Sequence, residues 1–73
     1  MKALVIGLGS MGRRRIRCLK HHGVTDITGF DLRADRRAQA ASEYGVATRE
    51  ALAQADVAGY DLVVISTPPD HHH

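Results

Sequence analysis

Lys2-Ala3-Leu4-Val5-Ile6-Gly7-Leu8-Gly9-Ser10-Met11-Gly12 is an apolar run joined, without a spacer, to a G-x-G-x-x-G loop. The run reads as a buried strand, and a helix-like segment follows the loop. A second apolar run, Asp26-Ile27-Thr28-Gly29-Phe30, then ends on Asp31, which stands 19 positions past Gly12. Strand, glycine loop, helix, second strand and an acid about 20 residues on make up the dinucleotide-binding fingerprint. A glycine-rich turn alone is a weak signal. Here all five parts stand in register.

Each part has a physical task. Gly7 allows the tight turn out of the strand, Gly9 lets the backbone approach a pyrophosphate, and Gly12 lets the helix lie close to the strand. The unpaired N–H groups of the helix's first turn face the phosphates, and the helix dipole adds to the attraction. Asp31, at the end of the second strand, is placed to accept hydrogen bonds from the adenosine ribose hydroxyls.

Size and composition narrow the alternatives. Seventy-three residues make at most one small domain, and a chain that short buries only about 60% of its unfolded surface. The apolar fraction of 44% is that of a globular protein. The single cysteine, Cys18, has no internal disulfide partner; it reads as a small apolar side chain in a reducing, cytoplasmic setting. No run of about 18 apolar residues exists, so neither a membrane span nor a membrane partner is expected. The net charge is +2, with Arg13, Arg14, Arg15 and Arg17 clustered on one helix. With one Phe, two Tyr and no Trp the chain offers few stacking platforms, and no nucleic-acid partner is expected.

In chain order, the first helix is expected from Ser10 to His22, with Ile16 and Leu19 flanked by Met11 and Cys18 as its apolar stripe. Arg13, Arg14, Arg17 and Lys20 take its wet side. Gly23 supplies the left-handed stop. His21 and His22 point about 100° apart and suit the last turn rather than a metal. The second strand spans Val24 to Phe30. The second helix runs from Ala34 to Tyr44, stops at Gly45, and is expected to turn Ala38, Ala41 and Tyr44 inward. Val46-Ala47 reads as a short third strand. Thr48 reads as the N-cap of a third helix from Arg49 to about Ala55, and Asp56 to Tyr60 as a loop pivoting on Gly59. Leu62-Val63-Val64-Ile65 is a continuous apolar strand suited to burial on both faces.

Alternating strands and helices imply right-handed crossovers and a parallel sheet, so the fold class is a doubly wound, Rossmann-type α/β sheet, here partial, in order 3-2-1-4. The order reverses between strands one and four. The ligand crevice is expected there, with Gly7–Gly12 leaving one wall and Ser66-Thr67-Pro68-Pro69 the other.

At this point the chain resembles the amino-terminal part of the glucose–fructose oxidoreductase / inositol dehydrogenase (Gfo/Idh/MocA) family. The matching stretches are Gly7-Leu8-Gly9-Ser10-Met11-Gly12-Arg13, then Phe30-Asp31-Leu32-Arg33 with the Tyr44-Gly45 helix end, and finally Thr67-Pro68-Pro69-x-x-His72. They span nearly the whole chain. The resemblance implies a nicotinamide dinucleotide, NAD or alternatively NADP. It implies that the Leu8, Ser10 and Met11 backbone lies near the pyrophosphate, and that Asp31, with Leu32 and Arg33 beside it, sits at the adenosine ribose. It also implies that Ser66, Thr67, Pro68, Pro69 and His72 line the route to the nicotinamide. Family members oxidise a secondary alcohol of a sugar or cyclitol, or reduce the corresponding ketone, using a lysine in a Glu-Lys-Pro motif and a carboxyl-terminal substrate domain. Neither occurs in this sequence.

Two functional readings follow. The first is the cofactor-binding portion, residues 1–73, of such an oxidoreductase, carrying no catalytic residue of its own. The alternative is a stand-alone nucleotide-binding or sensing module. His72 matches the family position, whereas His71 and His73 read equally as native residues or as the start of a tag. No metal site is assigned. A third helix of only two turns leaves one sheet face under-covered, so self-association through that face is expected.

Overall fold

Short apolar strands alternate with helices that are apolar on one side, and neither can bury its apolar side alone. The computed structural model describes residues 1–66. The elements are β1 (Lys2–Ile6), α1 (Ser10–His21), β2 (Asp26–Phe30), α2 (Ala34–Tyr44), β3 (Ala47–Arg49), α3 (Gln54–Ala58) and β4 (Leu62–Ile65). All strand pairs are parallel, in the order β3-β2-β1-β4. This is the expected order, with its reversal between β1 and β4.

The register sorts the side chains by face. Ala3 pairs with Ile27 and Leu62, and Val5 with Gly29 and Val64, so these six share one side. Ile16 of α1 and Ala40 of α2, both fully buried, join that side's core. Leu4, Ile6, Phe30, Val63 and Ile65 point the other way, where a right-handed β3–β4 crossover must run. Leu4 is fully buried there, but Ile65 is 71% exposed. Leu4, Val5, Leu8 and Ile16 are the largest side chains with no exposure. Each contributes about 1.5–3 kcal/mol by leaving water.

Helix ends follow local chemistry. At the end of α1, Gly23 N–H donates to Lys20 C=O at 3.0 Å and Val24 N–H to Leu19 C=O at 2.9 Å, with Gly23 at φ +87°. That is a Schellman stop, with Val24 and Leu19 packed on the same core. Gly45, at φ +66°, ends α2 in the left-handed conformation.

Several expectations are corrected. Cys18 is exposed and Met11 is 50% exposed. The stripe that meets the sheet runs through Gly12, Ile16 and Leu19, four and three residues apart, and puts Met11 and Cys18 off the contact. Arg13 is not on the wet side; it is half-buried and pairs with Glu43 of α2 at 3.3 Å. Ala38 and Ala41 are exposed, and Ala40 is the buried residue of α2. Half-buried Arg36 and Arg37 take the inward positions one turn earlier, which a search for apolar spacing passes over.

The β3–α3 region shifts most. β3 is Ala47–Arg49, so Thr48 is a strand residue opposite Gly29 and no N-cap. α3 begins at Gln54 and occupies much of the segment expected to be a loop. Its start is held by Asp56, whose carboxylate accepts the Ala53 N–H at 3.1 Å. Ala53 has no side-chain oxygen to return the bond, so only half a capping box forms. β2 begins at Asp26 and α1 ends at His21, each slightly shorter than expected. β4 has the expected bounds but, paired only with β1 among the described strands, it is half-buried rather than covered on both faces. No described helix is long and apolar enough to cross a membrane.

Candidate functional site

The carboxyl ends of β1, β2 and β4 open onto a cleft of about 270 Å³, lined by Ile6, Gly7, Gly9, Phe30 and Asp31, with Leu32, Arg33, Arg36 and Ser66. A neighbouring cleft of about 200 Å³ is lined by Ser10, Met11, Arg36 and Ser66. The two share Arg36 and Ser66, and together they run along the switch point of the sheet.

The glycine loop has the geometry its spacing implies. Gly7 turns out of β1 at φ +95°, where a side chain would be strained, and its N–H donates to Phe30 C=O at 2.8 Å. A Cβ on Gly12 would lie 1.7 Å from the Gly7 carbonyl oxygen, so helix and loop touch backbone to backbone. Gly9 is the N-cap of α1, in extended conformation and without a side-chain cap. The first intrahelical bond is Arg13 N–H to Gly9 C=O, at 3.0 Å. The N–H groups of Ser10, Met11 and Gly12 come before it, and no acid lies in the first turn. Among the described residues this helix start holds free donors, and it carries the positive end of the dipole.

Asp31 is 8% exposed and its carboxylate is held at both ends. Oδ2 accepts Leu8 N–H at 2.8 Å, and Oδ1 accepts Arg33 N–H at 2.9 Å. Burial pushes the carboxyl pKa up. The two N–H donors and the Arg36 and Arg33 guanidinium groups outweigh that and hold it below the ordinary aspartate value. The acid is therefore a fixed anion, and each oxygen keeps a lone pair for a further donor.

Ser66 follows β4, is 6% exposed, and its N–H donates to Ile6 C=O at 2.7 Å. Its Oγ is buried with no hydrogen-bond partner among the described residues. A buried hydroxyl without a partner costs free energy, and this one borders both clefts. A phosphate-bearing group beside free helix N–H donors, Ser66 Oγ and a backbone cradle at Gly9 fits this chemistry.

The structure thus brings Gly7, Gly9, Ser10, Met11, Asp31, Leu32, Arg33 and Ser66 around two adjoining clefts, while Gly12 is buried behind them against the Gly7 carbonyl. Leu8 differs: its N–H is spent on Asp31 and its side chain is fully buried over Gly29. Thr67, Pro68, Pro69 and His72 lie outside the described residues. By sequence Arg36, like Arg33 and Arg37, reads as a solvated arginine near the ribose; the structure makes it half-buried and puts it on both clefts. Its place five positions after the strand-end acid was the available signal, but Arg33 and Arg37 stand in the same stretch, and spacing cannot rank the three.

Over residues 1–73 the chain matches the Gfo/Idh/MocA family model, described as an oxidoreductase family with an NAD-binding Rossmann fold. No curated protein and no solved structure matches it.

Proposed function

Because the chain belongs to the Gfo/Idh/MocA oxidoreductases with their NAD-binding Rossmann fold, we propose that it holds NAD in preference to NADP for oxidation or reduction at a secondary alcohol of a sugar, cyclitol or related small molecule. The observation that carries the cofactor reading is the convergence on one crevice of the uncapped start of α1, the Ser66 Oγ that has no partner among the described residues, and the fixed Asp31 carboxylate. The α1 N–H groups and Ser66 hold the pyrophosphate, and Asp31 accepts the ribose hydroxyls. Leu32 and Arg33 flank the adenosine. When bound, the nicotinamide accepts or gives up a hydride.

Residues 1–73 contribute the cofactor-binding part of this reaction. Hydride transfer needs a group that moves the hydroxyl proton. The two lysines stand away from the crevice: Lys2 opens β1 at the opposite end of the sheet, and Lys20 lies in the last turn of α1. In this reading the lysine and the substrate groups come from other parts of the enzyme.

Titration calorimetry of the chain with NAD tests the cofactor reading. Saturable binding is expected, with no NAD reduction when sugars or cyclitols are added. A folded chain, checked by circular dichroism, that takes up no NAD at millimolar concentration would overturn it.

A further inference from the structure

Three arginines follow Asp31 closely, and the structure separates them. Arg33 closes its fork on Asp35, with Nε to Oδ1 at 3.2 Å and Nη2 to Oδ2 at 2.9 Å. Arg37 donates from Nη1 to the Asp31 carbonyl at 2.7 Å, and its Nη2 is 3.7 Å from Glu50 Oε2. Both are committed to protein partners. The Arg36 guanidinium makes no hydrogen bond among the described residues. Its nearest acid is Asp31, with Nη1 3.9 Å from Oδ2, beyond hydrogen-bond distance.

The Arg36 guanidinium also stands over the glycine loop. Nη1 lies 3.4 Å from the point a Cβ on Gly9 would occupy, so the guanidinium rests at van der Waals distance over this glycine. Arg36 borders both clefts, the one at Asp31 and the one at Ser10 and Met11. Ala40, one turn on and fully buried, anchors this face of α2 to the sheet. A planar cation with unspent donors, facing the free N–H groups of α1 across the crevice, is suited to phosphate oxygens.

We infer that Arg36 is a phosphate-binding residue that reaches from α2 over Gly9 to the pyrophosphate common to NAD and NADP. The inference rests on the cofactor reading above. The pyrophosphate is the better match than a ribose 2′-phosphate, because the guanidinium overlies Gly9 and shares a cleft with Ser10 and Met11. A 2′-phosphate would instead lie against the Asp31 carboxylate. The same cation sits between Asp31 and the loop, so it lowers the repulsion between that acid and the bound phosphates.

The test compares the full chain with Arg36→Gln, Arg36→Lys and Arg17→Gln, measuring the Kd for NAD and for NADP at low and high salt. Arg36→Gln is expected to weaken both cofactors by a similar factor, about tenfold to a hundredfold, and to reduce the salt dependence of binding. Arg36→Lys, which keeps the charge without the fork, falls between. Arg17→Gln removes the same charge from the exposed side of α1 and leaves both values within about twofold. A loss confined to NADP, an unchanged Kd, or a loss with unchanged salt dependence each overturns the proposal. Should Arg36→Gln not fold, Arg36→Lys decides: wild-type affinity for both cofactors overturns the fork contact. If the unsubstituted chain binds neither cofactor, the cofactor reading itself has failed.

Discussion

The Asp31 carboxylate accepts the Leu8 N–H at 2.8 Å, joining the end of β2 to the glycine loop across 23 residues of chain. One buried acid thus sets the loop's position while facing the crevice the loop lines. Arg33 N–H closes on the other carboxylate oxygen at 2.9 Å, and Arg37 holds the Asp31 carbonyl at 2.7 Å. Neither end of Asp31 is free to rotate away.

Asp31→Asn is expected to destabilise the chain by about 1–3 kcal/mol at neutral pH, because an amide nitrogen cannot accept the second N–H. The folded-state pKa of Asp31 is lowered. Its stabilising contribution is therefore present above the unfolded carboxyl pKa of about 3.9, and is lost as pH falls through the lower folded value. Urea titrations from pH 7 down to pH 3 should show the wild type approaching the variant's stability only at the acid end. A difference independent of pH would mean that the charge of Asp31 contributes nothing.

The fixed carboxylate also sets the cofactor preference. A 2′-phosphate would meet an anion that cannot swing aside, and Arg33, the residue flanking it, is spent on Asp35 at 2.9 Å. Repulsion at a partly exposed distance is worth roughly 1–3 kcal/mol, so NAD should bind about tenfold to a hundredfold more tightly than NADP. Asp31→Asn removes the charge and should narrow that ratio in paired calorimetric titrations. Tighter binding of NADP by the unsubstituted chain would show that an arginine, not Asp31, reads the ribose.

The glycine spacing and the strand-end acid were readable because few residue types can do those tasks. The closest backbone contact, Gly12 against Gly7 C=O, admits no side chain at all. The strand order followed from alternation and crossover handedness. What stayed hidden was decided by polar groups serving tertiary structure. Arg36 and Arg37 occupy inward positions on α2 that apolar counting assigned to Ala38 and Ala41. Thr48 has cap chemistry, yet it lies in β3 because β2 offers it backbone pairing opposite Gly29. The Asp31–Leu8 bond left no trace in local pattern, since its partners meet only after the sheet forms.

Gly29 sits mid-strand beneath Leu8, and that contact yields a double-mutant prediction. A Cβ there would lie 2.7 Å from Leu8 Cδ2 and 3.1 Å from Cδ1, and Leu8, fully buried, has little room to yield. Gly29→Ala should cost about 1–3 kcal/mol by overpacking, and Leu8→Ala about 2–5 kcal/mol by cavity formation. The pair should cost less than their sum by about 1 kcal/mol or more, since the added methyl enters the space that leucine vacates. Additive losses in chemical denaturation would show that the two side chains do not compete for one volume.

The sheet face turned away from α1 and α2 sets the last prediction. β4 is an edge strand paired only with β1 among the described strands, and Val63 and Ile65 share that face with Ile6. Ile65 is 71% exposed. An apolar edge strand of this kind is a template for pairing with another chain. The 73-residue chain is therefore expected to sediment as a dimer or larger species at micromolar concentration. Ile65→Lys should shift it towards monomer, because pairing across this face would bury the new charge. The substitution leaves the α1–α2 side of the core untouched, so the far-ultraviolet circular dichroism spectrum should not change. A cooperatively melting monomer for the unsubstituted chain in analytical ultracentrifugation would count against association through this face.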